Sequence, residues 1–159
     1  MTETGVRRAI GEIARCLWPE PALPVDSAEE APAAGGAYAL AISLVAPTEV
    51  RFSGRNTCLE PGTYVYAGSA YGPGGIQSRL RRHFRSDKKL HWHVDWLTVS
   101  ASDLAALAVV AGSECRIARC LSDLPSFAPV LDGFGSSDCK SCATHLLQWL
   151  GQAEQGGTG

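Results

Sequence analysis

No run of about 18 apolar residues occurs in this 159-residue chain, which therefore offers no candidate for a membrane-spanning helix. The first fifteen residues carry Glu3, Arg7, Arg8 and Glu12, and these charges break up the apolar stretch an export signal needs. A soluble, cytoplasmic protein without a membrane partner is the expectation. Lacking an export signal, the six cysteines have no route to an oxidising compartment. They read as reduced thiols, with metal binding open for some. No internal repeat is visible. The Gly72-Pro73-Gly74-Gly75 segment lacks the Gly-Lys-Ser/Thr ending of a phosphate-binding loop and reads as a turn. Positive charge is not in excess either, for the net charge is −2.

What is present suits one domain: an ordinary length and 45% hydrophobic residues, enough to bury a core. The charge is also unevenly distributed. From Val50 to Asp95 there are eight lysines and arginines against three carboxylates, a local +5 that leaves −7 for the rest. Polyanion binding needs such a patch rather than a basic total. A solvated helix face remains the plainer reading of the same run.

Val6, Ile10, Ile13, Ala14 and Leu17 recur at helical spacing, so residues 1–18 read as an N-terminal amphipathic helix. Three prolines between Pro19 and Pro24 stop it, and residues 19–34 read as a Pro/Ala-rich acidic linker. The main domain is expected over 35–151, followed by a disordered tail at 152–159. Within it, Gly36–Val45 alternates Tyr38, Leu40, Ile42 and Leu44 with small residues, the period of a strand. Further strands are expected at Glu49–Phe52, within Thr57–Ala67 after the Pro61-Gly62 turn, at Leu90–Val99 and at Leu104–Val110. Helices are expected at Gly75–Arg85, with Ile76, Leu80 and Phe84 as its buried stripe, at Glu114–Leu121 behind a Ser113 cap, and at Cys142–Gly151. The fold class is α+β: a small, largely antiparallel sheet flanked by helices, preceded by a loosely tethered helix and linker.

Arg79 and His83 lie four residues apart, on one side of their helix and beside its buried stripe. Glu114 shares a face with Ile117, Ala118 and Leu121, where a carboxylate is costly unless paired or bound to a metal. Tyr38 and Tyr66 come from two strands that could be neighbours. Phosphodiester hydrolysis asks for these parts: a general base, a cation for the developing charge, and a divalent metal near the leaving oxygen.

In order along the chain, Gly36-Ala37-Tyr38, Tyr66-Ala67-Gly68-Ser69, Arg79-x3-His83 and a helix opening at Glu114 resemble the GIY-YIG nuclease superfamily. Over roughly Gly35 to Leu150 the sequence is most similar to the branch that occurs alone or fused to endonuclease III-type DNA glycosylases. The segments carrying that likeness are Pro61–Ala70, Arg82-His83, Leu90–Asp95, Glu114-Cys115 and Gly133–Cys139. The resemblance implies a catalytic set of Tyr38, Tyr66, Arg79, His83 and Glu114. Tyr38 would be a general base towards water, and Tyr66 would position the water or phosphate. Arg79 would stabilise the transition state, His83 would carry a proton, and Glu114 would hold Mg2+ or Mn2+. Both middle isoleucines are replaced, by Ala37 and Ala67. The asparagine that often closes the superfamily core has no counterpart; the single asparagine, Asn56, is elsewhere, and Asp132 or Asp138 could stand in.

Candidate substrate contacts are Arg55, Arg81, Arg82, Lys88 and Lys89 from the basic run, with Ser69, His91 and His93. Read on one strand face, His91, His93 and Asp95 suit a transition metal, phosphate contact or a buried network alike. Cys139-x2-Cys142-x2-His145 has the spacing of zinc ligands, with Cys115 or Cys120 as a fourth, although a separated second pair is missing. Packed thiols or a reactive cysteine are the other readings. Trp18, Trp92, Trp96 and Trp149 read as core and helix-packing residues. The function expected is metal-dependent cleavage of DNA rather than RNA, in repair or processing beside a DNA-repair partner. The alternatives are a non-catalytic nucleic-acid-binding module and a zinc-stabilised interaction domain. Oligomeric state is not encoded legibly.

Overall fold

Bulky and small residues alternate along Gly36–Leu44, and the computed structural model, which describes residues 4–134, 142 and 144–151, shows both sets buried. In chain order the elements are α1 (Gly5–Leu17), β1 (Leu23–Val25), a 3-10 turn (Ala28–Glu30) and β2 (Gly36–Leu44). β3 (Thr48–Phe52), β4 (Arg55–Leu59), β5 (Gly62–Ala70), α2 (Gly75–Phe84) and α3 (Asp95–Thr98) follow. β6 (Asp103–Val110), α4 (Glu114–Ser122), β7 (Phe127–Pro129) and β8 (Leu146–Trp149) complete them. Six strands form one antiparallel sheet in the order β1-β6-β2-β5-β8-β7, and β3 and β4 form a separate hairpin. The α+β class with a mainly antiparallel sheet is thus observed.

The two faces of β2 serve two layers. Ala37, Ala39 and Ala41 share one cluster with Ile10 and Ile13 of α1 and Ile117 of α4, and small side chains there let the helices approach the sheet. Tyr38, Leu40 and Ile42 point the other way, into a cluster with Ile76 and Leu80 of α2 and Leu97 of α3. At the start of β2 only glycine fits, because a Cβ on Gly36 would collide with the carbonyl oxygen of Val109.

Several expectations are corrected. The first helix is not loosely tethered: Val6, Ala9, Ile10, Ile13 and Leu17 are buried in the shared cluster. At roughly 1.5–3 kcal/mol for each large apolar side chain buried, α1 is part of the core. Nor are residues 19–34 all linker, since Leu23–Val25 pairs with Ala106–Ala108 of β6 and the 3-10 turn packs on α2. Proline at position 24 is tolerated there because β1 is an edge strand.

Second, Leu90–Val99 is a turn and a short helix, not a strand. Asp95 Oδ2 accepts the backbone N–H groups of His91 and Trp92, each at 2.8 Å, and these bonds fold the segment back on itself. Third, the helix expected at Cys142–Gly151 is replaced by β8, which pairs with Thr63–Tyr66 and with β7. A short apolar run such as Leu146-Leu147 fits either period, and pairing partners far away in sequence decided it. The expectation of reduced thiols also fails at one pair: Cys16 and Cys120 form a disulfide joining α1 to α4. Trp18 departs from its packing role and is 79% exposed. The tail expected at 152–159 lies outside the described residues. No helix among the described residues is long and apolar enough to cross a membrane.

Candidate functional site

Tyr38 sits opposite Gly68 in the β2–β5 register, and its ring lies across that glycine. A Cβ at position 68 would collide with the Tyr38 ring and hydroxyl, so the glycine of the second triplet makes room for the tyrosine of the first. Two residues before Gly68, Tyr66 points to the same sheet face, with its ring centroid 6.4 Å from that of Tyr38. Helix α2 packs over this face through Ile76 and Leu80 and carries His83 inward, fully buried. The Tyr38 hydroxyl and His83 Nε2 are 2.6 Å apart.

Burial pushes the His83 imidazole down to about 3, Lys88 adds to the effect, and Asp95 opposes it. Burial likewise raises the Tyr38 hydroxyl well above the ordinary tyrosine range, reinforced by Tyr66 and Glu114 and opposed by Arg79. At neutral pH the histidine is therefore neutral and the tyrosine protonated. The hydroxyl is the donor in the Nδ1–H tautomer and the acceptor in the Nε2–H tautomer. His83 Nδ1 has no hydrogen-bond partner among the described residues.

Tyr66 and Arg79 face outward from this buried pair, into a cleft of about 240 Å³ completed by His91, Trp92, His93, Val94 and Phe134. The Arg79 guanidinium lies over the Trp92 ring at 4.8 Å, and Arg82 lies over it at 4.7 Å. A stacked guanidinium has few rotamers left to lose when it meets a ligand, so the cation is pre-oriented at the cleft. Burial raises the Tyr66 hydroxyl too; Arg79 lowers it and Glu114 raises it. Glu114 heads α4 on the opposite sheet face, yet its charge acts on both tyrosines. On β5, β8 pairs with Thr63–Tyr66, and the Ala67 N–H next along donates to the His145 carbonyl. The five residues Tyr38, Tyr66, Arg79, His83 and Glu114 thus come from four elements, β2, β5, α2 and α4, to one region.

The other basic residues divide by what they already hold. Arg82 Nη2 donates to Asp95 Oδ2 at 2.5 Å and to the Lys89 carbonyl. Burial alone would raise the Asp95 carboxyl, but the backbone N–H groups of His91 and Trp92 and the Arg82 guanidinium bring it below the usual range. Lys88 Nζ donates to the carbonyls of Arg82 and His83, closing the end of α2. Arg81 and Lys89 are exposed. Arg55 stands on the hairpin in a second cleft, of about 550 Å³, with Arg51, Asn56, Trp96 and His93, the last shared with the first cleft. Ser69 alternates with Tyr66 along β5 and so faces the α1–α4 layer, away from the tyrosines. Asp132 lines a cleft beside Arg55 and Asn56 on the hairpin's other side, and Asp138 lies outside the described residues.

Of the expected zinc ligands, Cys139 lies outside the described residues. Cys142 and His145 meet Cys115, and the three donor atoms fall within 4.8 Å of one another. The sequence reading missed Trp92 as a platform for two arginines and Asp95 as the organiser of the loop. Asp95 three and four residues after Trp92 and His91 was the available signal, because a carboxylate at that spacing takes turn N–H groups.

A family model described as "Domain of unknown function DUF123" matches residues 37–155, three quarters of the chain. No curated protein and no solved structure matches it.

Proposed function

The chain belongs to the DUF123 domain family, and from that premise we propose that it is a metal-dependent endonuclease of the GIY-YIG type, hydrolysing phosphodiester bonds in DNA. The observation that carries this reading is the 2.6 Å bond between Tyr38 and His83, set behind a cleft that presents Tyr66 and Arg79. A buried tyrosine–histidine pair beside a pre-oriented guanidinium suits proton transfer next to a developing negative charge.

In this reading a water attacks phosphorus, and its proton passes to the Tyr38–His83 pair. At about 3 the resting imidazole is an acceptor rather than a strong base. The negative charge of a bound phosphate raises its basicity, which couples proton uptake to substrate binding. Tyr66 orients the water or the phosphate from the cleft wall, and Arg79 stabilises the phosphorane. Glu114 fits a hard divalent cation: its carboxylate is half-buried and enters no ion pair with a described residue. Mg2+ or Mn2+ commonly rests on one carboxylate plus water and substrate oxygens. When bound, the ion supplies stabilisation of the leaving oxygen. The hairpin arginines Arg51 and Arg55, with exposed Arg81 and Lys89, supply the phosphate track. Work in DNA repair, beside a repair protein, follows from the same reading. Because one chain carries one such centre, the expected product is a nick.

The test uses purified protein with supercoiled, linear, branched and single-stranded DNA in Mg2+, Mn2+ or EDTA. Arg79→Ala and Glu114→Ala proteins run in parallel to expose contaminating nucleases. Cleavage lost in EDTA and in both variants supports the enzyme. Cleavage that survives both substitutions sinks the mechanism, and salt-sensitive binding without cleavage would make the chain a binding module instead.

A further inference from the structure

We propose that Cys115, Cys142 and His145 form a zinc site that clamps the first turn of α4 to the sheet where the chain enters β8 beside β5. The three donors come from segments 27 to 30 residues apart in sequence and lie within 4.8 Å of one another. Cys115 Sγ is 3.7 Å from His145 Nε2. For Zn–S of about 2.3 Å and Zn–N of about 2.05 Å, a tetrahedral angle puts sulfur and nitrogen about 3.6 Å apart. That edge of the tetrahedron is therefore already in place. Two thiolates and an imidazole select zinc over magnesium, whose preference is for oxygen. A fourth ligand, side chain or solvent, closes the coordination shell.

The backbone around the site is fixed before any metal arrives. The His145 N–H donates to the Phe134 carbonyl at 2.8 Å, and the His145 carbonyl accepts from Ala67 N–H at 2.9 Å. His145 itself is 2% exposed, so its ring is held between β5 and α4 rather than in solvent. Ser113 caps α4 two residues before Cys115, accepting the N–H of Arg116. The clamp thus joins two rigid elements, and a preformed site binds without much ordering of the chain. Glu114 precedes Cys115 in the same helical turn, so the zinc would also set the approach of that carboxylate to the cleft. This last consequence rests on the nuclease reading; the zinc site does not.

The test is elemental analysis of full-length protein purified in reducing buffer without chelator, together with refilling of the metal-free protein by Co2+. About one zinc per chain is expected. The cobalt form should show thiolate-to-metal charge transfer in the near ultraviolet and the strong visible bands of a tetrahedral site. Cys115→Ser and Cys142→Ser should each lose the zinc and the charge-transfer intensity. Cys58→Ser, on the exposed hairpin, should retain both. Removing the zinc should lower the melting temperature by on the order of 5–10 °C. A wild-type protein that carries no zinc and gives no tetrahedral cobalt spectrum overturns the proposal, whatever its action on DNA. Zinc retained in both cysteine variants overturns it equally.

Discussion

The Tyr38 hydroxyl and His83 Nε2 are 2.6 Å apart, and this bond ties the central strand of the sheet to the helix packed over it. Both partners are buried, so neither can exchange the other for water. Whatever the chain acts on, the pair is a fixed part of the fold as well as of the candidate site.

Tyr38→Phe keeps the ring and removes only the hydroxyl. His83 Nε2 then loses its partner while Nδ1 already lacks one among the described residues. An unsatisfied buried polar atom costs about 1–3 kcal/mol, which chemical denaturation would read as a lower midpoint with an unchanged slope. In the nuclease reading the same change should slow cleavage by roughly 10²–10⁴-fold. Wild-type stability in this variant would mean that the bond is not formed in solution.

Gly68→Ala tests the same region from the opposite strand. The added methyl collides with the Tyr38 ring, and the pairing of Gly68 with Tyr38 in the β2–β5 ladder prevents the backbone from moving aside cheaply. Overpacking of this kind costs about 1–3 kcal/mol. The cost should shrink when Tyr38→Leu is made as well, because the clash partner is gone. Equal costs in both backgrounds would place the tyrosine ring elsewhere.

Acid should expose the buried histidine. His83 is pushed from its ordinary value of 6.5 down to about 3 in the folded chain, so the unfolded chain binds a proton that the folded chain refuses. Its contribution is intact above the unfolded value and is lost as pH falls from about 6.5 towards 3. The slope is about 1.4 kcal/mol per pH unit in the middle of that window. Unfolding free energies measured from pH 7 to 5 should fall in the wild type and more gently in His83→Gln. Parallel curves for the two proteins would assign the acid sensitivity to other groups.

Much of this architecture was legible in residue order. Period two along Gly36–Leu44 and period 3.6 along Gly5–Leu17 and Gly75–Phe84 reflect surfaces that each element must bury locally. Of the candidate site, spacing showed that Arg79 and His83 share a helix side, whereas the set of five was named from the family resemblance. What escaped depends on distant partners. β1 and β8 exist because β6 and β5 present open edges to them, and neither strand is long enough to announce itself. The turn at Leu90–Val94 depends on one carboxylate, Asp95, outbidding the strand propensity of its neighbours. Cys115 meets His145 through the packing of α4 on the sheet, so spacing alone pointed to Cys139, Cys142 and His145 and left Cys115 and Cys120 as equal candidates for a fourth ligand.

The hairpin offers a prediction separate from the chemistry. Arg55 stands on β4 in the cleft it shares with Arg51, Asn56 and His93, outside the Tyr38–His83 pair. If this surface tracks the phosphate backbone, Arg55→Ala removes one phosphate contact. Binding to duplex DNA should then weaken similarly for unrelated sequences, and the slope of log K against log salt should drop by about 0.9. The proton-transfer groups are untouched, so cleavage at saturating DNA should stay near wild type while the concentration needed for saturation rises. A salt slope identical to that of the wild type would remove the hairpin from the binding surface and leave exposed Arg81 and Lys89 of the basic run as the remaining track.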